Sequence, residues 1–125
     1  MITIYKDDSD KKIVKKKWGS EVVLHNDNEY CGKLLRFNEG AMFSMHFHIK
    51  KAETFYVNRG VFDLIWINPV NADKNCVRIG VGDIIEIERG TPHQLYAYTD
   101  GEIFETSTPH DDNDSYRVEK GDNQK

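Results

Sequence analysis

Short stretches in which apolar and polar residues alternate recur along most of the chain, and they constrain its fold more than any other feature. A period of two is typical of β-strands, because successive side chains point to opposite faces. Asn, Asp, Gly and Pro residues separate nearly all of the stretches and are typical of turns. Strands are predicted at residues 21–25, 30–38, 41–48, 53–58, 61–67, 76–79, 83–88, 93–98 and 102–107. Regularly spaced strands with no helical period predict an all-β sandwich or barrel.

The length and charge of the chain limit its organisation and its partners. With 125 residues, 38% of them hydrophobic, the chain is long enough for one domain and too short for two. We therefore expect a single domain over residues 1–125, with 1–12 and 110–125 peripheral or partly flexible. The net charge of −4 argues against a nucleic-acid or anionic-lipid partner. Five lysines between positions 11 and 17 follow three aspartates, and we interpret them as solvated surface.

The sequence lacks the features of membrane insertion and of disulfide stabilisation. No apolar run approaches the roughly 18 residues of a membrane helix, and residues 1–10 lack the hydrophobic region of a signal peptide. We therefore expect a cytoplasmic protein with no membrane partner. Cys31 and Cys76 fit no metal-binding or redox spacing, so we interpret both as reduced, structural thiols.

Two histidines lie close together in the segment GAMFSMHFHIKKAETFYVNRG, residues 40–60. On a strand, His46 and His48 project from the same face as Met42 and Ser44, and the residues between them take the other face. If that face is the interior, the imidazoles need partners, because a buried polar group without a hydrogen bond costs about 1–3 kcal/mol. A metal ion is one such partner, and ordinary hydrogen bonds are another. Glu53 follows the pair after a predicted bend.

Two motifs in the chain resemble those of the cupin superfamily. The first has the spacing Gly, five residues, His, one, His, four, Glu, six, Gly, and the second is GDIIEIERGTPH at residues 82–93. Cupins usually have a proline where this chain has Glu88 and an asparagine where it has Ala97. The resemblance implies an all-β fold, the cupin double-stranded β-helix or jelly-roll barrel. It also implies one metal ion held by three histidines and a glutamate, which correspond here to His46, His48, Glu53 and His93.

Most of the chain is also similar to the cupin domain of type II mannose-6-phosphate isomerases. The similarity covers KKKWGSEVVL at 15–24, SMHFHIKKAETFYVNRG at 44–60 and DDNDSYRVEKGD at 111–122. It implies chemistry on a sugar or sugar phosphate. His46 stands where those isomerases commonly have glutamine, which returns the site to the general cupin ligand set. Lys51 replaces an arginine, which keeps a charge that attracts phosphate but loses a bidentate contact.

Imidazole and carboxylate ligands together favour a divalent transition metal. Four protein ligands leave two open positions on an octahedral ion but none on a tetrahedral zinc ion. Mn, Fe, Co or Ni is therefore favoured, and Zn is possible if it expands its shell. Two open positions can take a hydroxyl and a carbonyl from neighbouring sugar carbons, where the cation stabilises the charge that isomerisation develops. The same positions can instead take dioxygen and an organic substrate.

Other candidate site residues follow from charge and position. We expect Glu53 and Lys51 to be catalytic, with Lys50 and Arg89 attracting a phosphate. Tyr56 and Tyr96 are expected to bind substrate at the pocket mouth. No general base is identified: Glu86, Glu88 and Glu105 are each interpreted as solvated or paired carboxylates. His25 and His110 are interpreted as surface residues.

Three functions remain open at this point. The first is a metal-dependent sugar-phosphate isomerase or epimerase of the mannose-6-phosphate isomerase type. The second is a metal-dependent dioxygenase of small molecules, and the third is a non-enzymatic sugar-binding cupin. In each case the ligand is a small molecule. We also expect a homodimer, because pairing covers exposed strand edges.

Overall fold

The computed structural model describes residues 1–122, and nearly all of its regular structure is β-strand. One 3-10 turn, Asp8–Asp10, precedes the strands. The strands are β1 Lys12–Lys16, β2 Gly19–Asn26, β3 Cys31–Phe37, β4 Met45–Phe47, β5 Glu53–Arg59, β6 Phe62–Ile67, β7 Lys74–Ile79, β8 Ile84–Ile87, β9 His93–Ala97, β10 Gly101–Ser107 and β11 Tyr116–Glu119. The predicted all-β fold is confirmed.

The strands form two antiparallel sheets that pack face to face as a jelly roll. One sheet has the order β1-β2-β3-β10-β5-β8, and the other has the order β11-β4-β9-β6-β7. Because β5 and β6 lie in different sheets, the turn between them carries the chain across the sandwich and does not close a hairpin. Gly60 in this turn has φ +87°, and a Cβ atom there would collide with the carbonyl oxygen of Asp100. The turn therefore requires glycine.

The core between the sheets consists of the inward-facing side chains of both. Trp18 stacks on Phe37 with ring centroids 4.5 Å apart, and Phe62 meets the Phe37 ring edge-on at 5.2 Å. Phe55, Val57, Leu95 and Ile103 are also fully buried in this cluster. Burying each large apolar side chain contributes about 1.5–3 kcal/mol before the entropy of ordering is subtracted.

Two strands were not predicted, and both lie at sheet edges. β1 contains part of the lysine run and pairs with β2 over its whole length, from Lys12 opposite Val23 to Lys16 opposite Gly19. Lys12, Lys15 and Lys17 are exposed, as the interpretation as solvated surface expects, whereas Lys11 and Lys16 are half-buried. Lysine is typical of edge strands, where its charge opposes pairing with another chain.

The second of these strands, β11, lies in the C-terminal segment that was expected to be peripheral. It pairs with β4, placing Tyr116 opposite Phe47 and Arg117 opposite His46. Asp114, just before it, is buried. Residues 110–122 therefore pack against the sheet that carries two of the histidines, and residues 123–125 lie outside the described part of the chain.

Two further properties bear on the sequence predictions. Within residues 1–122, no helix is long and apolar enough to span a bilayer. Both cysteines are free thiols: Cys31 is buried and Cys76 is exposed.

Candidate metal centre

Three histidines from the two sequence motifs meet inside the sandwich. His46 of β4 and His93 of β9 are direct cross-strand partners, and His48 follows β4. Their ring centroids lie 4.8 to 5.9 Å apart, and their ligating nitrogen atoms all lie within 4.8 Å of one another. The Gly90 N–H in the second motif donates a hydrogen bond to the His48 carbonyl at 2.7 Å. This bond ties the turn before His93 to the first motif.

Each of the three imidazoles is oriented by a hydrogen bond from Nδ1 to a backbone carbonyl. The acceptors are Ser44 for His46 at 2.7 Å, Asp114 for His48 at 2.6 Å and Thr91 for His93 at 2.9 Å. Because Nδ1 carries the donated proton, the neutral ring presents an unprotonated Nε2 to the site. Metal-ligating histidines are held in this way in other proteins.

Glu53, the first residue of β5, completes the set of four. Its Oε2 lies 3.0 Å from the Nε2 of His93, and its Oε1 lies 3.7 Å from the Nε2 of His48. Among residues 1–122, neither Glu53 Oε2 nor His93 Nε2 has a hydrogen-bond partner, although both atoms are buried. Two buried lone-pair donors that face each other without a proton between them are costly. A cation bound to both removes that cost, so these residues fit a metal ion.

The protonation states of these side chains also suit metal binding. Burial, with His93 as a second cause, lowers the pKa of His46 to about 3, and burial likewise lowers the pKa of His48. Burial alone would raise the pKa of Glu53, but His93 and Lys51 outweigh it and hold the pKa well below its usual range. His46 and His48 therefore present neutral imidazoles and Glu53 presents an ionised carboxylate, which are the forms that coordinate metal.

Lys51 lies beneath the site and joins two buried carboxylates. Its ammonium contacts Glu105 at 2.7 Å, Glu53 at 3.1 Å and the Nδ1 of His110 at 3.1 Å. These three contacts use all three of its hydrogens. Burial alone would lower the pKa of Lys51, but Glu105 and Glu53 outweigh it and raise the pKa. The expected role of Lys51 in attracting a phosphate is wrong, because it has no donor left.

Asp114, in the C-terminal segment, forms hydrogen bonds with the loop that follows the histidine pair and with His48. The carboxylate of Asp114 accepts hydrogen bonds from the backbone N–H groups of Ile49, Lys50 and Lys51 at 2.9 to 3.2 Å, and its carbonyl accepts from His48. The sequence analysis did not identify Asp114. One aspartate thus fixes both the loop after the histidine pair and the ring of one ligand.

His110 also lies in the site, so its expected surface position is wrong. Its side chain is 18% exposed, its Nδ1 accepts from Lys51, and its Nε2 donates to Asp112 at 2.8 Å. Asn26 fixes the backbone at this position by two hydrogen bonds from 84 residues away. His25 lies outside the site, stacked on Tyr30 and 2.8 Å from Asp27.

A cavity of about 260 Å³ opens from the metal centre. Its lining includes the apolar side chains of Trp18, Leu35, Phe43 and Phe55. The ring of Phe43 meets His46 edge-on at 5.0 Å, so it shares the histidine face and not the opposite face predicted for it. Residues 41–44 lie outside β4, and the period of two does not extend to them. The lining also includes charged side chains, those of Lys16, Glu21, Lys33, Glu105 and Asp112.

The four residues expected to bind substrate lie elsewhere. Lys50 is exposed, Arg89 is exposed and donates to the Lys50 carbonyl at 2.8 Å, and Tyr56 is 41% exposed. Tyr96 pairs with Asp63 in the second sheet. Within the described chain, none of the four lines the metal cavity. Tyr56 and Tyr96 are out of phase with the inward-facing residues of their strands, and side chains in a strand alternate.

A comparison with protein-family models agrees with the two motifs and the jelly-roll fold. Residues 33–106, which include all four proposed ligands, match the family model of the cupin domain. The chain belongs to the cupin family. The sequence matches none of the curated proteins with which it was compared.

Similar solved structures show the same fold. A structure of oxalate decarboxylase from Bacillus subtilis matches with a TM-score of 0.76 at 20% identity, covering 88% of this chain and 30% of that one. CapF with the inhibitor 3-isopropenyl-tropolone matches with a TM-score of 0.75 at 18% identity, covering 87% and 34%. This cupin thus spans about a third of the length of either protein.

Proposed function

We propose that this cupin holds a divalent transition metal at His46, His48, Glu53 and His93 and isomerises a sugar or sugar phosphate between aldose and ketose. One observation supports proton-transfer chemistry as the reaction class. Glu105 is a carboxylate that is only 3% exposed, lines the same cavity as the metal ligands, and has a pKa raised by burial and by the charge of Glu53. A carboxyl group with a raised pKa suits proton transfer near neutral pH.

Manganese is the metal that we favour. The donor set of three imidazoles and one carboxylate suits Mn, Fe, Co and Ni, with Zn as a less open alternative. Bacillus subtilis oxalate decarboxylase, which shares the fold, has Mn(II) centres. A bound ion would act as a Lewis acid on the oxygens of neighbouring sugar carbons.

Glu105 is held so that one of its oxygens remains available. Its Oε2 contacts Lys51 at 2.7 Å and accepts a hydrogen bond from Ser107 at 3.2 Å. Within residues 1–122, Oε1 has no hydrogen-bond partner. In the proposed reaction this oxygen takes a proton from one carbon of the substrate and returns it to the next, while the hydroxyl proton passes between the oxygens of the same two carbons, so that carbonyl and hydroxyl exchange places. The sequence analysis interpreted Glu105 as a solvated or paired carboxylate, and its contact with Lys51 agrees with the paired alternative. Its role in proton transfer is part of this proposal.

The remaining site residues orient these groups and exclude water. Lys51 is a positioning residue in this proposal, because it sets the separation of Glu53 and Glu105. Phe43 and Phe55 meet the imidazole rings edge-on, at 5.0 Å for His46 and 6.0 Å for His93. These apolar rings exclude water from their surroundings, which strengthens the electrostatic interactions of the site.

The test is solvent exchange. Protein reloaded with manganese is incubated with mannose 6-phosphate or fructose 6-phosphate in deuterated water, and deuterium at C1 and C2 is measured by NMR. We expect incorporation by the wild type and a loss of about 10²–10⁴-fold in Glu105→Gln, with metal content unchanged. The exposed Glu86→Gln is the matched control. Oxygen consumption without exchange would support the dioxygenase instead, and a sugar-dependent rise in Tm without turnover would support a binding cupin.

A further inference from the structure

Lys33 of β3 is a buried lysine in the wall of the metal cavity. The residue is 4% exposed, and its ammonium lies 3.7 Å from the nearest carboxylate oxygen, on Glu21. That distance is too long for a hydrogen bond. Among residues 1–122 the Lys33 ammonium has no hydrogen-bond acceptor at all. The ammonium thus has an ion-pair partner but no hydrogen bond, so its donors remain for a ligand or solvent in the cavity.

Lys16 is a second lysine that lines the metal cavity. It ends β1, is half-buried, and lines both the metal cavity and a second cavity of about 580 Å³ next to it. Lys33 also lines both cavities. Within the described residues, the ammonium of Lys16 has no hydrogen-bond acceptor either. The wall between the two cavities therefore has two ammonium groups whose donors are unused.

The carboxylates near this wall are shared with other partners or with solvent. Glu21 forms an ion pair with Lys33 at 3.7 Å and has a side chain that is 20% exposed. Glu105 lies opposite Lys33 on the neighbouring strand, and it contacts Lys51 at 2.7 Å. Asp112 is 97% exposed and is engaged by His110, and Asp111 is also exposed. The charges of the two exposed aspartates are screened by solvent over short distances, so they offset the lysines only weakly.

We propose that Lys33 and Lys16 form a subsite for the phosphate group of the substrate. The substrate class rests on the proposed function: the sugar carbons lie at the metal and the phosphate lies at the lysine wall. A phosphate monoester carries close to two negative charges at neutral pH and several acceptor oxygens, which matches two ammonium groups. Lysine binds phosphate well as a point charge. The site replaces Lys50, Lys51 and Arg89 as the source of phosphate recognition.

The experiment is calorimetric titration of the manganese-loaded protein with mannose 6-phosphate, mannose and gluconate. We expect the wild type to bind the phosphate ester at least about tenfold more tightly than mannose. Lys33→Gln and Lys16→Gln should each lower the affinity for the phosphate ester by about tenfold or more, because each variant loses one charge-assisted contact. The affinity of each variant for mannose should stay within about twofold of the wild-type value. Lys50→Gln, an exposed lysine outside the cavity, is the matched control and should behave as the wild type.

Several results would overturn the subsite. They are equal affinity of the wild type for mannose and its phosphate, unchanged affinity in both variants, or tighter binding of gluconate than of the phosphate ester. Metal content shows whether each variant is folded, and if Lys33→Gln is not, Lys16→Gln decides alone. The subsite and the isomerase can fail separately. If phosphate binding depends on the lysines but no deuterium exchange occurs, the subsite is retained and the isomerase reaction is rejected. If deuterium exchange occurs and neither lysine variant changes it, the reaction is retained and the subsite is rejected.

Discussion

The Nε2 atom of His93 lies 3.0 Å from the Oε2 atom of Glu53, and among residues 1–122 neither atom has a hydrogen-bond partner. The two residues come from different sheets and are 40 positions apart in the sequence. Each is fixed independently, His93 by the Thr91 carbonyl and Glu53 by Lys51. Two rigidly held lone-pair donors at this separation indicate a site built for a cation.

Removing one ligand should remove the metal. His48→Ala should weaken metal binding by more than about 100-fold, because even changes behind the ligands cost 10–100-fold. His25→Ala, at a histidine outside the cavity, should retain the metal. Elemental analysis after gel filtration measures both, and equal metal content in the two variants would reject the ligand assignment.

Asp114 should affect the affinity for the metal although it is not itself a proposed metal ligand. Asp114→Ala removes the acceptor of three backbone N–H groups in residues 49–51 and loosens the carbonyl that orients His48. We expect metal affinity to fall by about 10–100-fold, measured by competition with a chelator. The exposed Asp73→Ala serves as the control. Wild-type affinity in Asp114→Ala would show that the C-terminal segment does not position the site.

Lys51 should contribute strongly to stability. Lys51→Met leaves Glu53 and Glu105 buried together without their shared cation, and breaking a buried ion pair costs about 3–5 kcal/mol. Its neighbour Lys50 is exposed, so Lys50→Met should change the free energy of unfolding by less than about 0.5 kcal/mol. Urea denaturation of the metal-free proteins makes the comparison. Similar midpoints for the two variants would contradict the network.

The metal-free protein should lose stability in acid. The pKa of His46 falls from 6.5 to about 3 on folding, so between these values the unfolded chain binds a proton that the folded chain does not. The free energy of unfolding therefore falls as the pH drops from about 6.5 toward 3. The lowered pKa values of His48 and His110 act in the same sense, whereas the raised pKa of Glu105 acts in the opposite sense above its usual 4.5.

Urea unfolding at several pH values tests this dependence, with His46→Gln as the comparison. The variant should show a smaller decrease between pH 6.5 and pH 4 than the wild type. An equal decrease in both proteins would mean that His46 is not the group responsible.

The sequence predicted the strands that carry strong alternation, and it missed those that depend on their partners. β1 has only Ile13 and Val14 as apolar residues, and all four residues of β11 are exposed. Neither strand buries a continuous face, so pairing with β2 and β4 determines them. Such edge strands carry little periodic signal of their own.

The candidate site likewise contains residues that the sequence predicted and residues that it did not. His46, His48, Glu53 and His93 were predicted because they fall in motifs with fixed spacing. The contacts of Asp114 and the burial of Glu105 and Lys33 were not predicted, since they result from the packing of distant parts of the chain, such as β10 lying between β3 and β5.

Strand phase could have corrected two errors in the predicted site. Tyr56 is out of phase with Glu53 on β5, and Tyr96 is out of phase with His93 on β9. Glu105 shares the inward phase of Ile103 on β10. The period of two alone therefore contained the information to exclude both tyrosines and to include Glu105.

The most direct test is a crystal structure of the manganese-loaded protein with anomalous diffraction data collected above the manganese edge. We expect one anomalous peak within coordination distance of the Nε2 atoms of His46, His48 and His93 and of the Glu53 carboxylate, with Nδ1 of each ring still bonded to its backbone carbonyl. A manganese-saturated crystal with no peak there, or with a direct hydrogen bond between His93 Nε2 and Glu53, would contradict the metal centre.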